Sequence, residues 1–309
     1  MSRSLSRRAA AIAAGLVADR LAGEPPARLH PVAAFGRVMA WVEARTWRPS
    51  RWAGVVPVVA GVGVAAAAAE AVRSVAGATY LAVAGRELCN AAERVALALD
   101  RGDLEEARRL LPALVGRDPT GLDEKEVARA AVESVAENTV DAVVAPALWA
   151  AAGGARGALA YRAVNTLDAM VGHRSARYER YGWASARLDD LAGWVPGRLT
   201  AALVAGLRPA AAAEVWRAVR RDAPAHPSPN AGVAEAAFAA ALGLRLGGEN
   251  RYGERGERVE LRPPLGSGRP PEAADITRAV ELSRDVAVAL GGALIATAAA
   301  TALGAVRRR

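Results

Sequence analysis

The chain has 309 residues, 52% of them hydrophobic, and 40 basic against 32 acidic residues give a net charge of +8. That is long enough to bury a core, and the single cysteine, Cys89, excludes an internal disulfide or a cysteine-built metal site. Almost all the positive charge is arginine, with Lys125 the only lysine; it suits anionic lipid or phosphorylated substrates, but no arginine block is interleaved with aromatics, which argues against a nucleic-acid partner.

Polar and apolar residues hardly alternate anywhere, so the pattern predicts a mainly helical, all-α chain. In chain order, the basic start and the apolar run Ala9–Ala18 read as a retained helix rather than a signal peptide, since Asp19 and Arg20 follow at once. Trp52–Ala69 is uncharged and close to the length that spans a bilayer, and Ala76–Gly85 completes a hairpin with it. Arg86–Asp100 and Leu104–Val115 form a polar helical hairpin, with Asp103 as an N-cap. After the loop "GRDPTGLDEKE", Asp123 caps the next helix and Glu126 closes a capping box; residues 86–138 are thus a polar helical segment. Ala142–Ala155 and Leu199–Leu207 are apolar but too short to cross alone. Residues 222–271, rich in Pro and Gly, read as a long structured loop or lid. Val286–Val306 is a clear span, and the three closing arginines favour a cytoplasmic C-terminus. The expectation is one membrane-embedded domain over residues 1–309, a polytopic integral membrane helical bundle with polar segments between its helices.

Several helix ends carry chemistry. At about 100° per residue, Glu126, Glu133 and Glu137 fall on one helix face and Asp141 a little further round, leading into an apolar stretch. Such a ridge is a solvated face paired with Arg129, a structural ion pair with an arginine on a neighbouring helix, or a Mg²⁺ site for phosphate, because Mg²⁺ takes a few carboxylates plus substrate phosphate. In "YRAVNTLDAMVGHRSARYERYGWASARLDDLAGW", Asn165 and Asp168 share a helix face, His173 and Arg174 follow a glycine where that helix ends, and Tyr178, Arg187, Asp189 and Asp190 come soon after. Arginines there suit carboxylate or phosphate, which guanidinium grips with two parallel bonds. In "DAPAHPSPNAG", three prolines hold His226, Ser228 and Asn230 in a rigid loop before a helix whose free N–H groups favour an anion. Near the start, Asp19, Arg20, Glu24, Arg28 and His30 follow an apolar run. Together these predict one site at a membrane face, assembled from separate segments. No P-loop, GxGxxG turn, GxSxG elbow or HExxH is present.

The segments "ADRLAGEPPARLHPV", "AVESVAENTVDAVVAP", "YRAVNTLDAMVGHR", "GWASARLDDLAGWVPGRLTA" and "DAPAHPSPNAG" resemble the CobD/CbiB family of cobalamin biosynthesis proteins, from about residue 9 to residue 285. The resemblance implies a multi-pass inner-membrane adenosylcobinamide-phosphate synthase. That enzyme joins the free propionate of adenosylcobyric acid, a corrinoid substrate, to (R)-1-amino-2-propanol or its O-phosphate, forming an amide at the expense of ATP. On that footing, Glu133, Glu137 and Asp141 hold Mg²⁺ with ATP; Arg20, Arg174 and Arg187 meet phosphate and carboxylate, with Tyr178, Asp189, Asp190, Ser228 and Asn230 completing the substrate site. His173 or His226, with Asp168 and Asn165, handles the proton of the attacking amine. Membrane lipid and other late corrinoid-pathway enzymes are the implied partners. Two other classes fit the pattern less well: an Mg²⁺-dependent intramembrane prenyltransferase, whose DxxxD pairs are missing, and a non-catalytic membrane scaffold.

Overall fold

The computed structural model describes residues 2–25, 30–173, 175–252 and 258–306. Its elements run α1 (Ser2–Ala22), α2 (Pro31–Thr46), α3 (Arg51–Val72), α4 (Val75–Ala82), α5 (Gly85–Asp100), α6 (Leu104–Leu110), α7 (Glu124–Thr139), α8 (Ala145–Leu167), α9 (Trp183–Leu207), α10 (Ala212–Arg221), α11 (Ala231–Leu242), β1 (Leu246–Tyr252), β2 (Arg258–Leu265) and α12 (Ala273–Val306). The expected all-α architecture is present, with one antiparallel hairpin added: Glu249 pairs with Leu261 and Asn250 with Glu260. That hairpin, with α11, occupies the stretch expected as a loop or lid. The closing arginines 307–309 lie outside the described residues.

The chain groups into two compact units: residues 1–84, 141–193 and 290–309, and residues 85–140 and 194–289. In the first, α8 packs against α1, α2, α3 and α4. Helix α3 shows how. Its buried stripe is Gly54, Pro57, Gly61, Ala65 and Ala69, small residues at helical spacing that let backbones approach closely. A Cβ on Gly54 would stand 1.8 Å from the Tyr181 carbonyl oxygen, so only glycine fits there. The other face of α3 leaves Val56, Val59, Val62 and Val64 exposed, and Trp52 at its start is 85% exposed, as a lipid-facing helix with an interfacial aromatic anchor requires. Helix α8 breaks at Gly154 (φ 62°). Arg8 donates to the carbonyls of Ala151 (3.1 Å) and Ala152 (3.2 Å) beside the break, satisfying groups that the broken helix leaves open.

The second unit is built on α7, buried along most of its length and packed by α5, α11 and β1. Local chemistry fixes its ends. Asp123 accepts the Glu126 N–H at 2.8 Å while Glu126 accepts the Asp123 N–H at 2.9 Å, and Asp103 caps α6 by accepting the Glu106 N–H at 2.9 Å. Helix α5 buries Leu88, Cys89, Ala92, Val95, Ala96 and Leu99, an i, i+3/i+4 stripe facing the core; Cys89 is 3% exposed.

Among the described residues, three helical stretches are long and apolar enough to cross a membrane: Arg51–Val72, Glu124–Gly172 and Ala273–Leu303. The shorter apolar runs of the sequence are thus the middle of one long stretch and the end of α9. The protein is therefore expected to stay in the membrane pellet through a carbonate wash and to leave it with detergent. Recovery in the wash supernatant would contradict the spans.

Candidate functional site

The first unit holds a cluster of acids. Val140–Val144 winds as a π-helix, and Asp141 on it accepts the Tyr161 hydroxyl at 3.1 Å and the Asn165 amide at 3.1 Å. The same amide nitrogen lies 3.4 Å from the Asp189 carboxylate, so two half-buried acids share one donor. Arg162, whose Nη1 is 3.4 Å from the Asn165 carbonyl, spends its Nε on the Ala82 carbonyl at 2.6 Å, closing the end of α4. Asp168 lies on a second π-helical turn, Asp168–Gly172. Removal from water holds the Asp189 carboxyl well above the usual carboxylate range, and the neighbouring charges of Asp141 and Asp168 push it the same way. A cavity of about 360 Å³ opens beside Arg162, walled by apolar residues of α2, α3, α4 and α8.

The other expected residues of this unit are less concentrated. Tyr178 donates to Glu43 at 2.7 Å, and its ring meets the exposed His173 edge-on at 4.8 Å. Arg187 is exposed and lies 3.8 Å from Asp190; Arg20 is exposed at the last turn of α1. Arg174 and Arg28 lie outside the described residues.

The second unit holds a buried polar network that sequence spacing only half disclosed. Glu133 is 1% exposed. One of its oxygens takes Arg117 and the other takes Arg129 (3.3 Å) and the Gly247 N–H (2.9 Å). Asn250 on β1 accepts from both arginines. Of the three readings of the carboxylate ridge, Glu133 comes nearest the structural ion pair, but its partners are Arg129 on its own helix and Arg117 in the loop before it rather than an arginine on a neighbouring helix. Glu137, further along α7, is half-buried.

Nearby, Glu235 on α11 is 0% exposed, and neither carboxylate oxygen has a hydrogen-bond partner among the described residues. His226 Nε2 stands 3.6 Å and Arg262 Nη1 3.7 Å from Oε1. Arg262, on β2, donates to the Tyr252 hydroxyl at 3.0 Å and touches His226 Nε2 at 3.3 Å. Ser228 Oγ accepts the N–H groups of Asn230 (3.4 Å) and Ala231 (3.2 Å) at the start of α11, and Arg198 donates to Asn230 at 3.3 Å. Burial lowers the His226 ring below its usual range; the Ser228 carbonyl opposes this and Arg262 assists it. Glu235 was missed from sequence although "AGVAEAAFAAAL" carries a visible signal, one carboxylate in a helix otherwise wholly apolar, where a charge is costly unless paired.

Burial raises the Glu235 carboxyl well above its ordinary 4.5, and the charges of Glu133 and Glu137 add to this. The folded chain therefore keeps a proton that the unfolded chain has lost above that pH, so stability falls as pH rises through the window above 4.5. Glu235→Gln carries no titrating group. Melting temperatures followed between about pH 5 and pH 8 should decline less steeply in the variant than in the wild type; parallel curves would contradict the shift.

A family model described as CobD/CbiB protein matches residues 12–283. A Mycobacterium tuberculosis protein described as cobalamin biosynthesis protein CobD is 48% identical over 305 residues, covering 94% of this chain and 95% of its own. Proteins of the same description from Geobacter metallireducens (46% over 262 residues, 79% of this chain and 82% of the relative) and Halalkalibacterium halodurans (40% over 272 residues, 81% and 85%) extend the likeness. No solved structure matches the chain. With a match that runs through both acid clusters and nearly end to end, the chain belongs to the CobD/CbiB family of cobalamin biosynthesis proteins.

Proposed function

We propose that this chain is an adenosylcobinamide-phosphate synthase of the inner membrane, crossing it more than once. It condenses the free propionate of adenosylcobyric acid with (R)-1-amino-2-propanol or its O-phosphate, at the expense of ATP. The pathway rests on family membership; the observation that carries the ligase chemistry is the pair Asp141 and Asp189 on one Asn165 amide.

A carboxylate and an amine do not condense in water, because direct attack would have to expel oxide. Phosphorylation by ATP turns that oxygen into a leaving group. Mg²⁺ accompanies ATP and supplies charge stabilisation to the phosphoryl group in transfer. Glu133 does not fit as its ligand: arginines and a backbone N–H already engage both its oxygens. Among the described residues no group of three or more His, Cys, Asp or Glu is arranged to hold a metal ion. Two carboxylates plus substrate phosphate is nevertheless the usual supply for Mg²⁺, and Asp141 and Asp189 fit that description. Their mutual repulsion, felt in the raised Asp189 carboxyl, is what a cation relieves. Arg162 stands beside the pair and suits the anionic end of a substrate. Water must be kept from an acyl phosphate, which the half-buried setting of Asp141 and Asp189 favours.

The expected products from ATP are ADP and phosphate. Adenosylcobyric acid labelled with ¹⁸O at its free carboxylate should pass one label to the released phosphate. Label in AMP would indicate adenylation instead. Amide formed with no nucleotide consumed would remove the ligase reading and leave acyl transfer from a substrate activated elsewhere.

A further inference from the structure

One block of the chain, "WVEARTWRPSRW" at residues 41–52, does interleave arginine with tryptophan, contrary to the expectation drawn from the sequence. It covers the end of α2 and the first turn of α3. A second short segment, residues 175–183, leads into α9 and lies in the same compact unit. Four of the seven tryptophans and five arginines are gathered in these two segments, against two glutamates.

Hydrogen bonds latch the two segments together. Glu43 accepts from Tyr178 at 2.7 Å and from Arg177 at 3.0 Å. The Thr46 and Tyr181 hydroxyls meet at 2.8 Å, and the Trp47 indole donates to the Arg177 carbonyl at 3.2 Å. What the latch leaves outside is cationic and aromatic. Arg45 lies over the Trp41 ring at 3.8 Å, Arg177 over Trp47 at 4.7 Å and Arg51 over Trp183 at 5.3 Å, the approach at which a ring face attracts a guanidinium. Arg48, Arg51 and Arg180 are exposed and make no ion pair among the described residues. Glu43 is consumed inside the latch, so it does not compensate them.

Position decides what this corner meets. Arg51 and Trp52 open α3, a helix long and apolar enough to cross a membrane, so the phosphate layer of the bilayer passes at the level of the corner. Tryptophan belongs at that level, with its ring at the acyl boundary and its N–H among the headgroups. Trp41, Trp52 and Trp183 are exposed as that requires. Guanidinium grips phosphate with two parallel hydrogen bonds, and a cluster of arginines beside a span attracts anionic headgroups. A nucleic acid would need ring faces open for its bases to stack on, whereas the faces of Trp41 and Trp183 already carry guanidinium. We propose that this corner is a binding site for anionic phospholipid headgroups. Arg48, Arg51 and Arg180 engage the phosphate, and Trp41, Trp52 and Trp183 sit in the interface around it. The site is independent of the amide-forming function proposed above.

The test uses full-length protein in detergent, mixed with equal amounts of phosphatidylglycerol and phosphatidylcholine carrying the same acyl chains. The lipids that stay bound are counted by native mass spectrometry. Wild type should retain phosphatidylglycerol in preference, and the preference should weaken as salt rises, because exposed charges are screened. Each arginine near an anionic surface is worth about fivefold. The triple variant Arg48→Gln, Arg51→Gln, Arg180→Gln should therefore lower the preference by at least about tenfold. Removing the same charge from exposed positions of the other unit, by Arg101→Gln, Arg220→Gln and Arg245→Gln, should leave it within about twofold of wild type. Should the first triple variant fail to fold, its three single substitutions should each lower the preference by about two- to fivefold. No preference in wild type, or a preference kept by the folded corner variants, overturns the site. Equal losses in the two triple variants assign the effect to net charge and overturn it as well. Short single-stranded DNA that binds wild type and not the corner variant, with the lipid preference unmoved, would give the corner to nucleic acid instead.

Discussion

Glu133→Ala is expected to cost about 3–5 kcal/mol of stability, the usual penalty for removing one partner of a buried ion pair. The substitution strands Arg117 and Arg129, whose side chains are 5% and 10% exposed and whose charges share this carboxylate. Asn250 accepts from both arginines, but an amide oxygen carries no compensating charge. Gly247, which donates to Glu133 at 2.9 Å, would also lose its acceptor. The expected readout is a large drop in melting temperature and in the yield of folded protein. A change below about 0.5 kcal/mol, typical of surface substitutions, would contradict the buried network. Replacing Arg117, Arg129 and Glu133 together by apolar residues of similar size should restore much of the loss, because buried charge triads are often no more stable than a packed apolar core.

The second large effect is on activity. Asp189→Asn and Asp141→Asn each preserve shape and remove one of the charges that converge on the Asn165 amide. Amide synthesis should fall by about 10- to 100-fold, as loss of metal-site groups commonly does, and the Mg²⁺ concentration needed for half-maximal rate should rise. Stability should move the other way or hold still, because neutralising Asp189 ends its unfavourable contact with neighbouring acids. Loss of activity with equal or greater stability is the mark of groups held together for function. Activity within about twofold of wild type would instead assign the pair to structure.

How much of this was legible in the sequence follows the range of the interactions. The caps at Asp103 and Asp123 were readable because the partner lies three residues away. The span beginning near Trp52 was readable because it is a run. The carboxylate ridge was half readable. It assumed a uniform turn of about 100° per residue, but the π-helix at Val140–Val144 widens one turn, and Asp141 there binds Tyr161 and Asn165 on α8. Glu133 looked like its neighbours on the ridge; what distinguishes it is Arg117, which lies in a loop 16 residues earlier, and Asn250, on a strand more than a hundred residues later. The hairpin escaped notice because Gly247 and Gly248, at φ 87° and 117°, follow the first residue of β1, which breaks any alternation on that strand. In β2 the alternation is short, with Val259 and Leu261 both exposed. His226 with Ser228 was legible as a local pair because only two positions separate them. Tyr161, which donates to Asp141, and Glu235, which stands near His226, belong to apolar helices that read as packing.

The burial of Cys89 has a practical consequence for mapping the molecule in its bilayer. A membrane-impermeant maleimide meets no exposed native thiol among the described residues, since the one cysteine is 3% exposed. Cysteines placed singly at well-exposed positions such as Trp52, Leu191 or Leu261 would then be labelled against a silent background. Intact cells and inverted vesicles would sort those positions by the aqueous compartment they face, with the native sequence otherwise unaltered.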